Sequence, residues 1–216
     1  MVKREGINYP KFKDQFAVMD FEAEPMPVLS LFPLPAARPL EQWQVLLTDV
    51  MGQRRAVSWP ELQKLPQVRE KVPLVCQIFN WAEEPEVAGV RLVDVLEATG
   101  IDAPAGGYFA FHSADGLYFE GLPRALARDP RVLLVFGING GPLPLEYGGP
   151  LRLWVPFLQG YKSVKWVDLI RAYRKDPLGI KRLLGQSRTA VLGANGQEKA
   201  GVVVARAGNG DSSFEI

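Results

Sequence analysis

The chain has very few of the residues that build metal sites or crosslinks: one cysteine, Cys76, and one histidine, His112, in 216 residues. A lone cysteine excludes an intramolecular disulfide and any CxxC metal knuckle. With a lone histidine beside it, a zinc site built from protein ligands alone is not expected. A metal, if one is used, has to arrive on a cofactor that brings most of its own ligands. Excess charge of one sign is also lacking, since 25 basic and 24 acidic residues leave a formal net charge of +1. That balance lacks the basic surplus by which nucleic-acid-binding proteins grip phosphate backbones, so no nucleic-acid partner is expected. No apolar run approaches the roughly 20 residues of a membrane-spanning helix. The N-terminus, MVKREGINYPKFKDQF, has no apolar signal core, and Arg54-Arg55 lies too far along the chain to act as a twin-arginine signal. A cytoplasmic protein with no membrane span is the expectation. Internal repeats at solenoid spacing are absent too.

What is present suits a packed domain with extensions, as 47% of the residues are hydrophobic. Residues 1–40 are proline-rich (EPMPVLSLFPLPAARP) and read as an extended arm over the domain, with Val28 to Phe32 apolar enough to dock. The domain proper is expected over residues 41–174, followed by a C-terminal extension over 175–216. A hairpin is predicted from Gln44–Val50 and Arg54–Trp59, then a short helix starting at Pro60 with Ser58 or Trp59 at its cap. Val72 to Phe79 reads as one buried strand carrying Cys76. Val90 to Thr99 has the apolar spacing of an amphipathic helix stopped by Gly100. Strands are expected at Tyr108–Phe111, Leu117–Phe119 and Arg131–Ile138, with a short helix over Pro123–Arg128. Past Arg174, a short basic helix and a hairpin about Asn195-Gly196 are predicted. Many short strands, few helices and no βαβ alternation give an α+β class with mixed sheets.

The most informative stretch runs from Gly148 to Arg171 (GGPLRLWVPFLQGYKSVKWVDLIR). Apolar strands at Leu151–Val155 and Trp166–Ile170 flank a turn, Gly160 to Lys165, that carries a hydroxyl and two ammonium groups. Backbone N–H groups, a serine hydroxyl and lysines suit an anion such as phosphate, although an ordinary basic surface turn has the same local composition.

In the order Gly148, Pro150-Leu151-Arg152, Val155-Pro156, Gly160 to Lys165 and Trp166, this stretch resembles the sulfite-oxidase-type molybdopterin-binding family, which includes the methionine-sulfoxide-reductase catalytic subunits. The resemblance covers roughly residues 40 to 172. It implies a mixed-sheet molybdopterin-binding fold and a molybdenum-molybdopterin cofactor. Upstream, Cys76 is followed by Trp81, Gly89-Val90-Arg91-Leu92 and a helix, which is the family's order around its metal-ligating cysteine. By position, Cys76 would ligate the metal. Arg152, Ser163, Val164 through its backbone, and Lys165 would hold the pterin and its phosphate. His112 or Ser113 would add a further contact, and Lys162 electrostatic support. Two departures stand out. Gln77-Ile78-Phe79-Asn80 makes the Cys76–Trp81 interval one residue longer than the family's, and Tyr147 stands where the family carries histidine or asparagine. A phenol can still donate to a phosphate or pterin.

The activity implied is that of a molybdopterin-dependent oxidoreductase moving an oxygen atom to or from a small-molecule substrate, with a separate electron-transfer partner. The alternative is a relative that keeps the fold without metal and acts as a ligand-binding or interaction module. A phosphate-binding protein using only the Lys162–Lys165 turn is a third reading.

Overall fold

The computed structural model describes residues 32–76, 81–187, 189–190 and 192. Residues 33–39 carry no regular structure, and a single 3₁₀ turn at Leu40–Gln42 leads into β1 (Gln44–Thr48) and β2 (Arg54–Ser58). Then follow α1 (Trp59–Leu62), β3 (Gln67–Lys71), β4 (Leu74–Cys76), β5 (Trp81–Glu83), β6 (Glu86–Arg91) and α2 (Leu92–Thr99). Next come β7 (Tyr108–Ser113), β8 (Phe119–Pro123), α3 (Arg124–Ala127), β9 (Leu133–Ile138) and β10 (Gly141–Pro142). The last elements are β11 (Arg152–Trp154), β12 (Val167–Tyr173) and α4 (Ile180–Leu183). Two five-stranded sheets carry the fold, the first ordered β2-β1-β12-β7-β8 and the second β10-β9-β6-β3 with β11 also on β9. Only β1 and β12 pair in parallel within them, and β4 and β5 form a separate antiparallel ribbon. Among the described residues no helix is long and apolar enough to cross a membrane.

Alternation along the strands divides the apolar residues between two cores. Val45, Leu47, Phe109, Phe111 and Ile170 of the first sheet pack with Val90, Leu134 and Leu153 of the second and with Leu92, Val95 and Leu96 of α2. On the far face of the second sheet, Val72, Leu74, Val87, Leu133, Val135, Leu143 and Trp154 form the smaller core. The second sheet is therefore covered on both faces along β9 and β11, whereas β3 is an exposed edge, and β4 lies on its outer side.

Local signals set several boundaries. The Glu61 carboxylate accepts both the Ser58 N–H (2.8 Å) and the Ser58 hydroxyl (2.7 Å), which starts α1 and holds the Glu61 carboxyl below its ordinary range. Gly100, at φ 67°, ends α2 in the left-handed conformation expected of it. That helix starts at Leu92 rather than Val90, because Val90 and Arg91 are paired with Leu134 and Leu133 in the sheet. Within the single strand expected over Val72–Phe79, β4 covers Leu74–Cys76 and starts directly after Pro73, which has no N–H to give a ladder. Residues 77–80 lie outside the described residues, as do residues 1–31 of the expected arm and the expected hairpin about Asn195-Gly196. β3 was not foreseen because its alternating residues are exposed or half-buried and polar (QVREK).

At the register shift of β6 against β9, Gly89 sits so close to β9 that an added Cβ would run into the Leu134 carbonyl oxygen. Gly89→Ala is expected to destabilise the protein by about 1–3 kcal/mol, the usual cost of overpacking, read as a lowered urea midpoint with an unchanged m-value.

Candidate functional site

The residues singled out after position 147 fold into one unit. β11 and the turn after it are joined along their length: Leu153 N–H donates to Val164 O (2.9 Å), Val167 N–H to Leu151 O (2.9 Å) and Trp166 N–H to Gly148 O (3.1 Å). The Arg152 guanidinium, in a residue only 5% exposed, donates through Nη1 to Tyr147 O (2.8 Å) and through Nε to Ser163 O (3.2 Å). It also lies 5.0 Å from the Trp154 ring centroid. The Ser163 hydroxyl oxygen accepts Val155 N–H at 3.0 Å, and Val164 is fully packed. Lys165 donates to Glu146 O (2.7 Å) and stands 5.5 Å from the Trp166 ring. Trp166 itself has φ 52°, uncommon for a side-chain-bearing residue, and its indole N–H is held by Leu145 O at 2.7 Å.

The strand of Cys76 reaches the same place from another part of the chain. The Trp154 indole donates to Pro73 O (3.0 Å), and Val75 makes an isolated parallel bridge to Gln159, one residue before the 3₁₀ turn Gly160–Lys162. Cys76 pairs with Trp81 across the β4–β5 ribbon. Cys76, Arg152 and the Ser163–Lys165 turn thus belong to adjoining elements, with Tyr147 contributing its carbonyl oxygen to Arg152.

His112 and Ser113 separate. As neighbours on β7 they face opposite sides of the first sheet. Ser113 is buried, takes the Asp115 N–H on its hydroxyl (3.3 Å) and pairs with Val167, beside the Lys165–Trp166 step. His112 lies on the outer face, its ring stacked on Phe119 at 5.2 Å and its Nε2 buried with no hydrogen-bond partner. Burial, reinforced by the Arg171 charge, holds its pKa below the ordinary 6.5.

Lys162 differs from the solvated turn charge that its sequence context suggests. Its side chain is 3% exposed, and its ammonium donates to Glu120 Oε2 (2.8 Å) and Gly121 O (3.0 Å). Burial pushes the Glu120 carboxyl up, against the pull of the Lys162 ammonium and the Lys181 N–H. Glu120 was missed in the sequence because one carboxylate in an apolar strand (YFEGL) carries no motif. A groove of about 250 Å³ lies away from all of these, lined by Leu40, Trp59, Ala88 and Phe136 with the Arg69–Glu86 pair at 3.4 Å.

The donor set suits an anionic ligand. A guanidinium, an ammonium and a hydroxyl are gathered within fourteen residues (152–165), the two cations held by main-chain carbonyls and the hydroxyl by a main-chain N–H, and groups of these types bind phosphates. The same turn adjoins β4, the strand that carries Cys76 in its sequence. Among the described residues no three His, Cys, Asp or Glu side chains gather as a metal site.

The sequence profile described as Oxidoreductase molybdopterin binding domain matches residues 32–180. The chain is 29% identical over 154 residues to the uncharacterized oxidoreductase YuiH of Bacillus subtilis, covering 71% of this chain and 76% of that protein. It is 31% identical over 152 residues to the protein-methionine-sulfoxide reductase catalytic subunit MsrP of Xanthomonas campestris pv. campestris, covering 64% of this chain and 47% of that one. In fold it is similar to the sulfane dehydrogenase SoxCD of Paracoccus pantotrophus, with a TM-score of 0.58 and 22% identity over 65% of this chain and 40% of that chain. The chain therefore spans about half or less of the last two.

Two outcomes are expected. An added Cβ at Gly148 (φ 104°) would lie 2.8 Å from Lys165 Cγ and 2.9 Å from its Cβ, so Gly148→Ala should displace Lys165 and destabilise the fold by about 1–3 kcal/mol. Chemical denaturation reads it. For the lone histidine the sign follows from its depressed pKa: stability is full above 6.5 and is lost as pH falls through the lower folded value. His112→Phe keeps the aromatic stack and should flatten that acid-side loss, seen as melting temperature against pH.

Proposed function

This chain belongs to the oxidoreductase molybdopterin-binding domain family, and on that premise we propose that it is a molybdopterin-dependent oxidoreductase transferring an oxygen atom at a cysteine-ligated molybdenum centre. The reading is supported most by one observation: the Arg152–Lys165 unit and the Cys76 strand adjoin, through the Val75–Gln159 bridge and the Trp154–Pro73 hydrogen bond. Arg152, Ser163, the Val164 backbone and Lys165 would hold the pterin and its phosphate, with Tyr147 beside them and Ser113 at the neighbouring strand end. His112, on the opposite face of β7, is less suited to that contact than Ser113. Cys76 would be the protein's ligand to the metal. Molybdopterin, when bound, supplies two-electron chemistry at its metal.

The chain's own residues would do the remaining work. Arg152, buried and already oriented by two carbonyls, would meet an anionic group without first ordering its side chain. Lys165, on the partly exposed side of the turn, would neutralise that group's charge from the solvent side. Oxygen-atom transfer is proposed because the Xanthomonas relative's name describes the reduction of a sulfoxide, which removes an oxygen atom from sulfur. A small-molecule substrate and a separate electron-transfer partner complete the proposal.

Elemental analysis for molybdenum and tungsten, with pterin fluorescence on the same sample, tests it on protein from a host that makes the cofactor. Near-stoichiometric metal and pterin are expected in the wild type, with the metal lost in Cys76→Ala. A well-folded sample without either would point instead to the metal-free binding module.

A further inference from the structure

The buried pair Glu120–Lys162 does not stand alone. Glu120 commits both carboxylate oxygens: Oε2 accepts the Lys162 ammonium at 2.8 Å, and Oε1 accepts the Lys181 N–H at 2.7 Å. Gly179 packs against the same carboxylate, where an added Cβ would lie 2.5 Å from Oε2, and its φ of 84° favours glycine further. Two more bonds run between this C-terminal segment and the candidate cofactor turn. The Tyr161 hydroxyl donates to Ser187 O (2.6 Å), and Gln159 N–H donates to Ala190 O (2.8 Å). The turn that carries Ser163, Val164 and Lys165 is thus tied at residues 159 and 161 to Ala190 and Ser187, and at residue 162 through Glu120 to Lys181. The outer part of that segment lies past residue 180, where the family match ends.

We infer that residues 176–187 and 189–190 form a clasp that fixes the Gln159–Lys165 turn, and that Glu120, acting through Lys162, is the positioning residue that holds this turn in shape for the cofactor's anionic group. The inference rests on the cofactor reading above for its second half only. Physically, an ammonium buried in a turn needs a buried counter-charge, and the carboxylate that supplies it is held in place from the other side by the Lys181 N–H. Glutamine at position 120 would satisfy one donor and confront the other with its own NH₂ group. Glu120→Gln therefore loosens the clasp while keeping volume and shape.

The test compares the wild type with Glu120→Gln, with Tyr161→Phe, which removes the hydroxyl that bonds Ser187 O, and with Val57→Ala as a core control. Two quantities are measured: the rate of pterin and molybdenum loss on incubation, and amide hydrogen exchange at residues 162–164 and in β9. Glu120→Gln and Tyr161→Phe should each speed cofactor loss on the order of tenfold, as expected when a charge-assisted or buried anchor is removed. They should also raise exchange at 162–164 and leave β9 protected. Val57→Ala should lower the melting temperature and do neither. Cofactor loss that simply follows melting temperature across all three variants would overturn the positioning role. Unchanged exchange at 162–164 in Glu120→Gln and Tyr161→Phe would overturn the clasp. A wild type without pterin would refute the cofactor reading, and the clasp would then stand or fall on the exchange data alone.

Discussion

The burial of the Arg152 guanidinium imposes a constraint on everything around it. A permanently charged group that is 5% exposed must have its donors met, and the described bonds come from carbonyl oxygens of two separate segments, at Tyr147 and Ser163. Those carbonyls point inward only if the 145–149 loop and the 160–165 turn close on β11 from both sides. Gly148 permits that closure, since the space a side chain would occupy there is filled by Lys165. Once closed, the same geometry places a hydroxyl, an ammonium and a guanidinium along one short stretch. The clustering of these polar groups and the packing of the loop are therefore one construction.

The sheets decide where that construction sits. β11 joins the edge of β9, and its alternation sends Leu153 to the large core and Arg152 and Trp154 to the smaller one. β4 lies on that same side, with Leu74 in the smaller core and Pro73 capped by the Trp154 indole. The cysteine strand and the arginine strand are brought together by a shared apolar cluster, although seventy-six positions separate Cys76 from Arg152 in sequence. A comparable logic governs the other end of the turn, where burying Lys162 demands Glu120, and Glu120 in turn recruits the C-terminal segment.

Much of this was legible in the residues. The β1–β2 hairpin, the proline-led α1, the glycine stop of α2 and the strands on either side of the Gly160–Lys165 turn follow from local rules of turn chemistry and periodicity. The ordered Gly-Pro-Leu-Arg to Lys-Ser-Val-Lys stretch carries the family resemblance in sequence alone. Other features were not legible, each for a definite reason. β3 hides because an edge strand with polar, exposed residues has no apolar alternation to reveal it. Val90 and Arg91 suit a helix by periodicity, yet pairing with β9 takes them into a strand. His112 and Ser113 looked equivalent because adjacency in sequence says nothing about which face of a sheet meets a ligand.

By itself, the sequence determined the chemistry available: one thiol, one imidazole, a balanced charge and a basic turn framed by apolar strands. These are properties of composition and near-neighbour order, so they need no fold to be read. Only the tertiary structure decided which charges would serve the turn's interior and which its surface. Lys162 and Lys165 are three residues apart and chemically identical, but one is buried against a carboxylate from β8 and the other stays partly exposed over Trp166. The difference comes from desolvation, which depends on what other segments bring to a position, and no local window contains those segments.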